Sequence, residues 1–240
     1  MVKGKVDGSA RGALFDVRNK SNEHHDRKES TGQVGDNILF SEVDTESGWH
    51  TDGASKNNVY DVIGLMCINK ARVGGELQVT NAANALNNLK QSLPEFLLYE
   101  LIRPVPRDIL ENKEFKDASK KSTRLLRSRP LLSERIMQNA YPIFDVDGEH
   151  MRFRYMRYWI NTGHIKAEMK VPVLLQIAMD LLDDQLDQCR SFDRQLEPGE
   201  MIFVNNSILA HNRTKFKDLP NVLKRHQVRA WIQVQKADLA

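Results

Sequence analysis

From Val59 to Thr80 the chain is rich in β-branched and apolar residues and is broken by Gly74-Gly75, and no other stretch narrows the fold as much. The pattern suits two strands joined by a tight turn, a hairpin or a sheet corner, because glycine tolerates the backbone such turns demand. Ser191 to Val234 repeats the β character, punctuated by Pro198-Gly199 and by the polar residues Thr214 to Asn221. Helical spacing lies between: Ala82, Ala85, Leu86 and Leu89 share one stripe, and Ser92-Leu93-Pro94-Glu95 has the form of a capping box opening a second helix. Leu174, Ile177, Ala178, Leu181 and Leu182 form a further stripe whose opposite face carries Asp180, Asp183 and Asp184. Met151 to Trp159 mixes strand formers with arginine and is expected to be a strand near a site. The sum is a β core with flanking helices.

At 240 residues, with 40% apolar and 28% charged, the chain suits a single domain over residues 1–240 with a polar flap at about 17–36. His24 and His25 fall in that flap, where a polar loop accommodates histidine without metal. The net charge of +3 gives no reason to expect nucleic acid or membrane partners. The basic run Lys113 to Arg129 lacks interleaved aromatics beyond Phe115, so it reads as a solvated or substrate-facing loop. Apolar runs such as Val173 to Leu175 fall far short of the ~20 residues that span a bilayer. Met1 to Phe15 is basic, but Asp7 and the lack of an apolar centre argue against a secretory signal, so the expected compartment is the cytoplasm. Cys67 and Cys189 are expected to be reduced thiols.

Chemistry concentrates in Gly48-Trp49-His50-Thr51-Asp52-Gly53, because residues two apart in a strand point to the same side. His50 and Asp52 can grip one ion, and a third ligand must come from elsewhere. The turn at Pro198-Gly199 launches a strand toward His211 on the next, which supplies it. Two imidazoles and one carboxylate make a facial triad whose open positions suit Fe(II) in oxygen chemistry. Arg225, Gln227, Arg229 and Trp231 alternate onto one strand face, where an arginine can hold a carboxylate by a bidentate fork. A buried arginine facing a metal cage needs an anion, and a keto acid chelating the iron provides one.

These segments resemble the taurine dioxygenase and clavaminate synthase-like family of Fe(II)- and 2-oxoglutarate-dependent oxygenases. The likeness runs from about Ser47 to Gln233. It rests on Trp-His-Thr-Asp-Gly at 49 to 53, Gly74-Gly75-Glu76, Pro-Gly-Glu to His-Asn-Arg at 198 to 213, and Arg-His to Arg-Ala-Trp at 225 to 231. The resemblance implies a mainly β, double-stranded β-helix or jelly-roll core with flanking α-helices. It implies iron ligation by His50, Asp52 and His211, and 2-oxoglutarate binding by Arg225 and Arg229. The implied reaction is hydroxylation of a small-molecule substrate by dioxygen, with succinate and carbon dioxide as co-products; a homo-oligomer is left open.

Two departures stand out. Family members usually carry Thr or Ser two residues after the glycine pair, where this chain has Leu77, and Thr80 is at an offset that would face the other way. Only 49 residues precede His50, fewer than is usual in the family, so a shortened N-terminal part is expected. Arg152, Arg154 and Arg157 are candidates for binding a substrate carboxylate, with alternation placing Arg157 opposite the other two. An amino acid or related small carboxylate fits that arginine-rich strand. Trp49, Phe203 and Trp231 are expected to pack, and Asn205 and Asn206 to shape a turn or hydrogen-bond the strand beside the metal. Alternatives are a non-catalytic binding module on the same barrel and a cupin-like metal isomerase or lyase.

Overall fold

A computed structural model describes residues 14–19, 40–53, 55–57, 59–109, 131–148, 150–218 and 223–234. Four antiparallel strands, β1 (Leu14–Arg18), β2 (Val62–Asn69), β8 (Met201–Asn205) and β11 (His226–Ile232), form one sheet in the order β1-β11-β2-β8. A second sheet has the order β7-β4-β9, from β4 (Leu77–Asn81), β7 (Arg190–Arg194) and β9 (Leu209–Arg213). Ile63, Leu65 and Cys67 of β2 and Val204 of β8 bury against Leu77 and Val79 of β4, with Leu196 completing the cluster. This cluster joins the inner faces of the two sheets.

The expected strand pair around Gly74-Gly75 is a corner: β2 and β4 lie in different sheets, bridged by β3 (Val73–Gly74), which pairs with β10 (Phe216–Lys217). Gly74 and Gly75 have φ of +70° and +78°, and a Cβ on Gly74 would lie 2.0 Å from the Lys215 carbonyl oxygen. Only glycine fits so close an approach of backbone to backbone.

The helices pack on the smaller sheet and on the hairpin β5 (Phe144–Asp147) and β6 (His150–Phe153). In α1 (Ala82–Ser92) the predicted stripe Ala82, Ala85, Leu86 and Leu89 is buried, and Asn81 caps the first turn by accepting from the Ala83 and Asn84 amides. Helix α2 (Glu95–Ile102) starts after Pro94 with no side-chain cap. Ser92 instead donates to the Asn88 carbonyl, so no capping box forms there.

After α3 (Leu132–Gln138) and α4 (Arg157–Lys166) comes the long α5 (Val173–Gln188), which buries Leu175, Ala178, Met179, Leu182 and Leu186. Leu174 and Ile177, which were expected in its stripe, are exposed. The run of consecutive apolar residues in α5 supports more than one stripe, and packing against α1 and α2 selects between them.

Three further expectations change. The strand expected over Met151 to Trp159 ends at Phe153, and Arg157 opens α4, so strict alternation of the three arginines does not hold. Val17 and Arg18 belong to β1, so the polar flap begins no earlier than Asn19, while residues 20–36, with His24 and His25, lie outside the described residues. The basic run 113–129 also lies outside them. Cys67 and Cys189 are free thiols. No helix among the described residues is long and apolar enough to cross a membrane.

Candidate metal centre

His50 sits in an extended segment that runs beside β9. The His50 amide donates to the His211 carbonyl and the His211 amide donates back to the His50 carbonyl, both at 2.9 Å. Residues that exchange both hydrogen bonds lie directly opposite and project to the same face. The two imidazole centroids are accordingly 4.2 Å apart. The Ser47 amide extends this pairing to the Arg213 carbonyl, and the Thr51 amide donates to the Tyr155 carbonyl on the other side.

Two residues beyond His50, Asp52 turns its carboxylate to both rings. Its Oδ1 is 3.7 Å from Nε2 of His50 and 3.8 Å from Nε2 of His211. One ligand atom from each of the three residues can be chosen so that all lie within 4.8 Å of one another, a spacing able to hold a metal ion. The sequence-predicted set thus converges.

The protonation pattern favours a cation. Nδ1 of His50 lies 2.8 Å from the Gly48 carbonyl, which can only accept, so Nδ1 carries the hydrogen and Nε2 presents a lone pair. Burial pulls the His50 pKa below its ordinary value, against the raising influence of Asp52. Burial and then neighbouring His50 bring His211 down to about 3. Burial pushes Asp52 up, but Arg229, His211, His50 and Trp231 outweigh it and hold the carboxyl at about 2. Near neutral pH the cluster is two neutral imidazoles and one carboxylate, all buried from water.

The other carboxylate oxygen is already engaged. Trp231 Nε1 donates to Asp52 Oδ2 at 2.6 Å, and Arg229 Nη1 lies 2.9 Å from the same oxygen and donates to Oδ1 at 3.2 Å. Asn206 accepts from the Asp52 amide at 2.8 Å and donates to the Asp52 carbonyl at 3.0 Å and the Tyr60 carbonyl at 2.9 Å. Trp231, expected only to pack, therefore also holds the candidate ligand; its place on the Arg225–Trp231 face was the signal for it. Trp49 is buried and donates to Asp187, whereas Phe203 is exposed, lying over Gly64 on the outer side of the sheet. Asn205 accepts from the Ser207 amide in the β8–β9 turn.

Arg225 is buried, and its Nη1 has no hydrogen-bond partner among the described residues. Burial brings its pKa down to about 10. Arg213, not singled out by the sequence, is buried too and donates to the Phe40 and Thr45 carbonyls. Burial, with Arg225 as the next influence, brings it to about 9. Neighbouring guanidiniums under such pressure favour an anion beside them. Leu77 is in the inter-sheet core, while Thr80 faces α5 and donates to the Leu186 carbonyl.

The three remaining arginines diverge. Arg157 pairs with Asp180 at 2.5 Å and Asp183 at 2.9 Å. Arg154 lies over the Tyr141 ring and donates to the Ser55 carbonyl at 2.6 Å and the Lys56 carbonyl at 3.2 Å, just beyond the His-Thr-Asp segment. Arg152 is 3.6 Å from Asp61.

Similar proteins share this architecture. FR-33289 synthase of Streptomyces rubellomurinus (strain ATCC 31215) is 25% identical over 225 residues, covering 89% of this chain and 59% of that protein. The chain thus spans about three-fifths of the length of this curated relative. An asparagine oxygenase solved with Fe(II), 2S,3S-3-hydroxyasparagine and succinate is 17% identical, with a TM-score of 0.61 over 92% of this chain and 56% of that one. The non-heme iron oxygenase OrfP, solved with Fe and alpha-ketoglutaric acid, is 16% identical, with a TM-score of 0.56 over 92% of this chain and 56% of that one. At such identities the two structures establish a shared fold. A family model covers residues 7–231, and with it the whole His-Asp-His set and both arginines of β11 and its approach: the chain belongs to the taurine catabolism dioxygenase TauD, TfdA family.

Proposed function

We propose that this chain is an Fe(II)- and 2-oxoglutarate-dependent dioxygenase that hydroxylates a small polar substrate, an amino acid or related carboxylate, releasing succinate and carbon dioxide. The two packed sheets are read as a double-stranded β-helix. One observation carries the proposal: Asp52 Oδ1 faces both histidine Nε2 atoms in a buried site while Oδ2 is tied back by Trp231 and Arg229. Two neutral imidazoles and one carboxylate are a donor set that would hold non-haem Fe(II). The iron, when bound with 2-oxoglutarate, supplies the dioxygen activation that side chains cannot.

The chain's residues do the rest. His50 and His211 offer neutral Nε2 atoms, and Asp52 offers one oxygen. Arg225 is the anchor for a 2-oxoglutarate carboxylate, because its unpartnered Nη1 is a buried donor in need of an anion. Arg229 shares its charge with Asp52, which leaves it a smaller part in holding the co-substrate. Arg152, held less tightly than Arg154 and Arg157, is the best placed of the three to bind a substrate carboxylate. The asparagine oxygenase solved with hydroxyasparagine and OrfP solved with hydroxy-L-Arg support an amino-acid substrate.

The test begins anaerobically. Addition of 2-oxoglutarate to the Fe(II)-loaded protein should produce a visible charge-transfer absorption. Exposure to oxygen with a panel of amino acids and small acids should then give substrate-dependent succinate. A band without succinate from any compound identifies a non-catalytic binding module, and no band overturns the co-substrate assignment.

A further inference from the structure

Arg229 Nη1 spans both oxygens of Asp52, whereas the Trp231 indole N–H donates to Oδ2, and the neighbours are themselves fixed. Asn206 clasps the Asp52 backbone from both sides, donating to its carbonyl and accepting from its amide. The Trp231 indole stacks on Tyr60 with centroids 4.9 Å apart and planes 6° from parallel, and on Phe15 at 5.8 Å and 27°. The Arg229 guanidinium lies 4.7 Å from the Trp231 ring centroid. An indole stacked in this way cannot swing its N–H away from Asp52 Oδ2 without breaking both stacks.

Trp231 therefore has two separable properties, a ring that packs and an N–H that donates. A carboxylate with both oxygens unrestrained can rotate, or turn both oxygens onto one cation. A carboxylate bridged by a guanidinium across both oxygens, with one of them also held by an indole N–H, presents the other in a fixed direction. We infer that Trp231 is a positioning residue of the metal centre, whose indole N–H holds Asp52 as a single-oxygen ligand aimed between His50 and His211. The inference rests on the metal reading proposed above.

Trp231→Phe tests it, because phenylalanine keeps an aromatic ring beside Tyr60 and Phe15 while removing the N–H donor along with part of the indole's packing. Fe(II) and Co(II) dissociation constants are measured anaerobically by chelator competition for the unaltered protein, for Trp231→Phe and for Trp159→Phe. Trp159 is a buried tryptophan of α4 whose ring packs edge-on against Tyr158, so it reports the effect of lost indole packing. Trp231→Phe should bind both metals roughly 10–100-fold more weakly, the effect typical of removing a hydrogen-bond partner from a ligand. Trp159→Phe should bind them unchanged. The Co(II) absorption of Trp231→Phe should also differ from that of the unaltered protein, because Asp52 is free to turn.

Equal affinities and spectra in a folded Trp231→Phe protein overturn the inference while leaving the metal site standing. Failure of the unaltered protein to bind either metal overturns the metal reading and the inference together. Should Trp231→Phe not fold, the unaltered protein decides by indole ¹⁵N–¹H resonances, assigned with Trp49→Phe and Trp159→Phe. The Trp231 signal should be protected from exchange and should move on Zn(II) addition; an unprotected, unmoved signal overturns the inference.

Discussion

Replacing Gly75 by alanine separates the co-substrate pocket from the fold around it. Gly75 has φ of +78°, and a Cβ there would lie 3.2 Å from the Phe216 Cβ, 3.3 Å from the Ala71 Cβ and 3.3 Å from the Arg225 Nε. The backbone strain costs roughly 1–2 kcal/mol for a non-glycine residue. The stiffer unfolded chain returns roughly 0.4–1 kcal/mol. A net stability loss of about 1 kcal/mol follows, plus the cost of shifting the three neighbours by a few tenths of an ångström. One neighbour is the guanidinium proposed to hold 2-oxoglutarate. A hydrogen bond to a charged group contributes roughly 1.5–3 kcal/mol. Misaligning it by that displacement should forfeit about half, so 2-oxoglutarate should bind roughly three- to tenfold more weakly. The assay is an anaerobic titration of the Fe(II) protein with 2-oxoglutarate, read by its charge-transfer band, alongside thermal melts. Gly74→Ala is the contrasting variant: its Cβ meets the Lys215 backbone at 2.0 Å, so the loss of stability should reach roughly 3 kcal/mol. Gly75→Ala with wild-type 2-oxoglutarate affinity and the expected melting loss would refute the link from Gly75 through Arg225 to the co-substrate.

The buried histidines make apo stability depend on pH. Their folded pKa values lie below the unfolded 6.5, with His211 at about 3, so the unfolded state binds more protons and stability should fall as pH drops below 6.5 toward 3; urea midpoints at pH 7, 5.5 and 4.5 measure it. Asp52 has a lowered folded pKa too and so the same sign, but its contribution is complete above 3.8 and is lost only as pH falls through about 2, below the range these measurements cover. Leu77→Thr should tighten 2-oxoglutarate binding by at most roughly 1.5–3 kcal/mol and destabilise the inter-sheet core by ~2 kcal/mol; unchanged or weaker affinity means the pocket is built without that position. Arg157→Ala should lower stability by roughly 1–2 kcal/mol, discounted because the pair is part-exposed, and leave the Michaelis constant of an acidic substrate unchanged. Arg152→Ala should raise that constant with the melting temperature held, and an unchanged constant removes Arg152 from substrate recognition.

What could be read without coordinates divides by range along the chain. The His50–Asp52 pair follows from two-residue alternation, and the α1 stripe from helical spacing, both properties of a few neighbouring residues. The α5 stripe was harder: Leu174 and Leu175 are equally apolar, and only the position of α1 and α2 buries the second and exposes the first. The arginines show the same limit. A strand ending at Phe153 and a helix starting at Arg157 are set by the Arg154 amide pairing with Ile143 and the Asp108 amide with the Trp159 carbonyl, contacts that no local pattern encodes. Once α4 begins at Arg157, that guanidinium reaches Asp180 and Asp183 on α5, residues that local spacing had marked only as a polar face.

Alternation groups Gln227, Arg229 and Trp231, with Arg225 just ahead of β11 and the register shifting between His226 and Gln227, yet it could not choose their partners. A buried guanidinium requires an anion. Two were available, the co-substrate and the carboxylate of Asp52, and a sequence cannot rank them because the choice depends on the reach of each side chain. The structure divides them: Arg229 meets Asp52 directly, while Arg225 keeps a buried Nη1 without a partner among the described residues. The same segment thus serves two ends. Its Arg229–Trp231 end fixes the candidate metal ligand, and its Arg225 end retains the charge that a second anion must answer. An arginine that neutralises Asp52 also lowers the net charge an incoming cation can compensate, so the cluster trades some attraction for a carboxylate that stays ionised and correctly aimed.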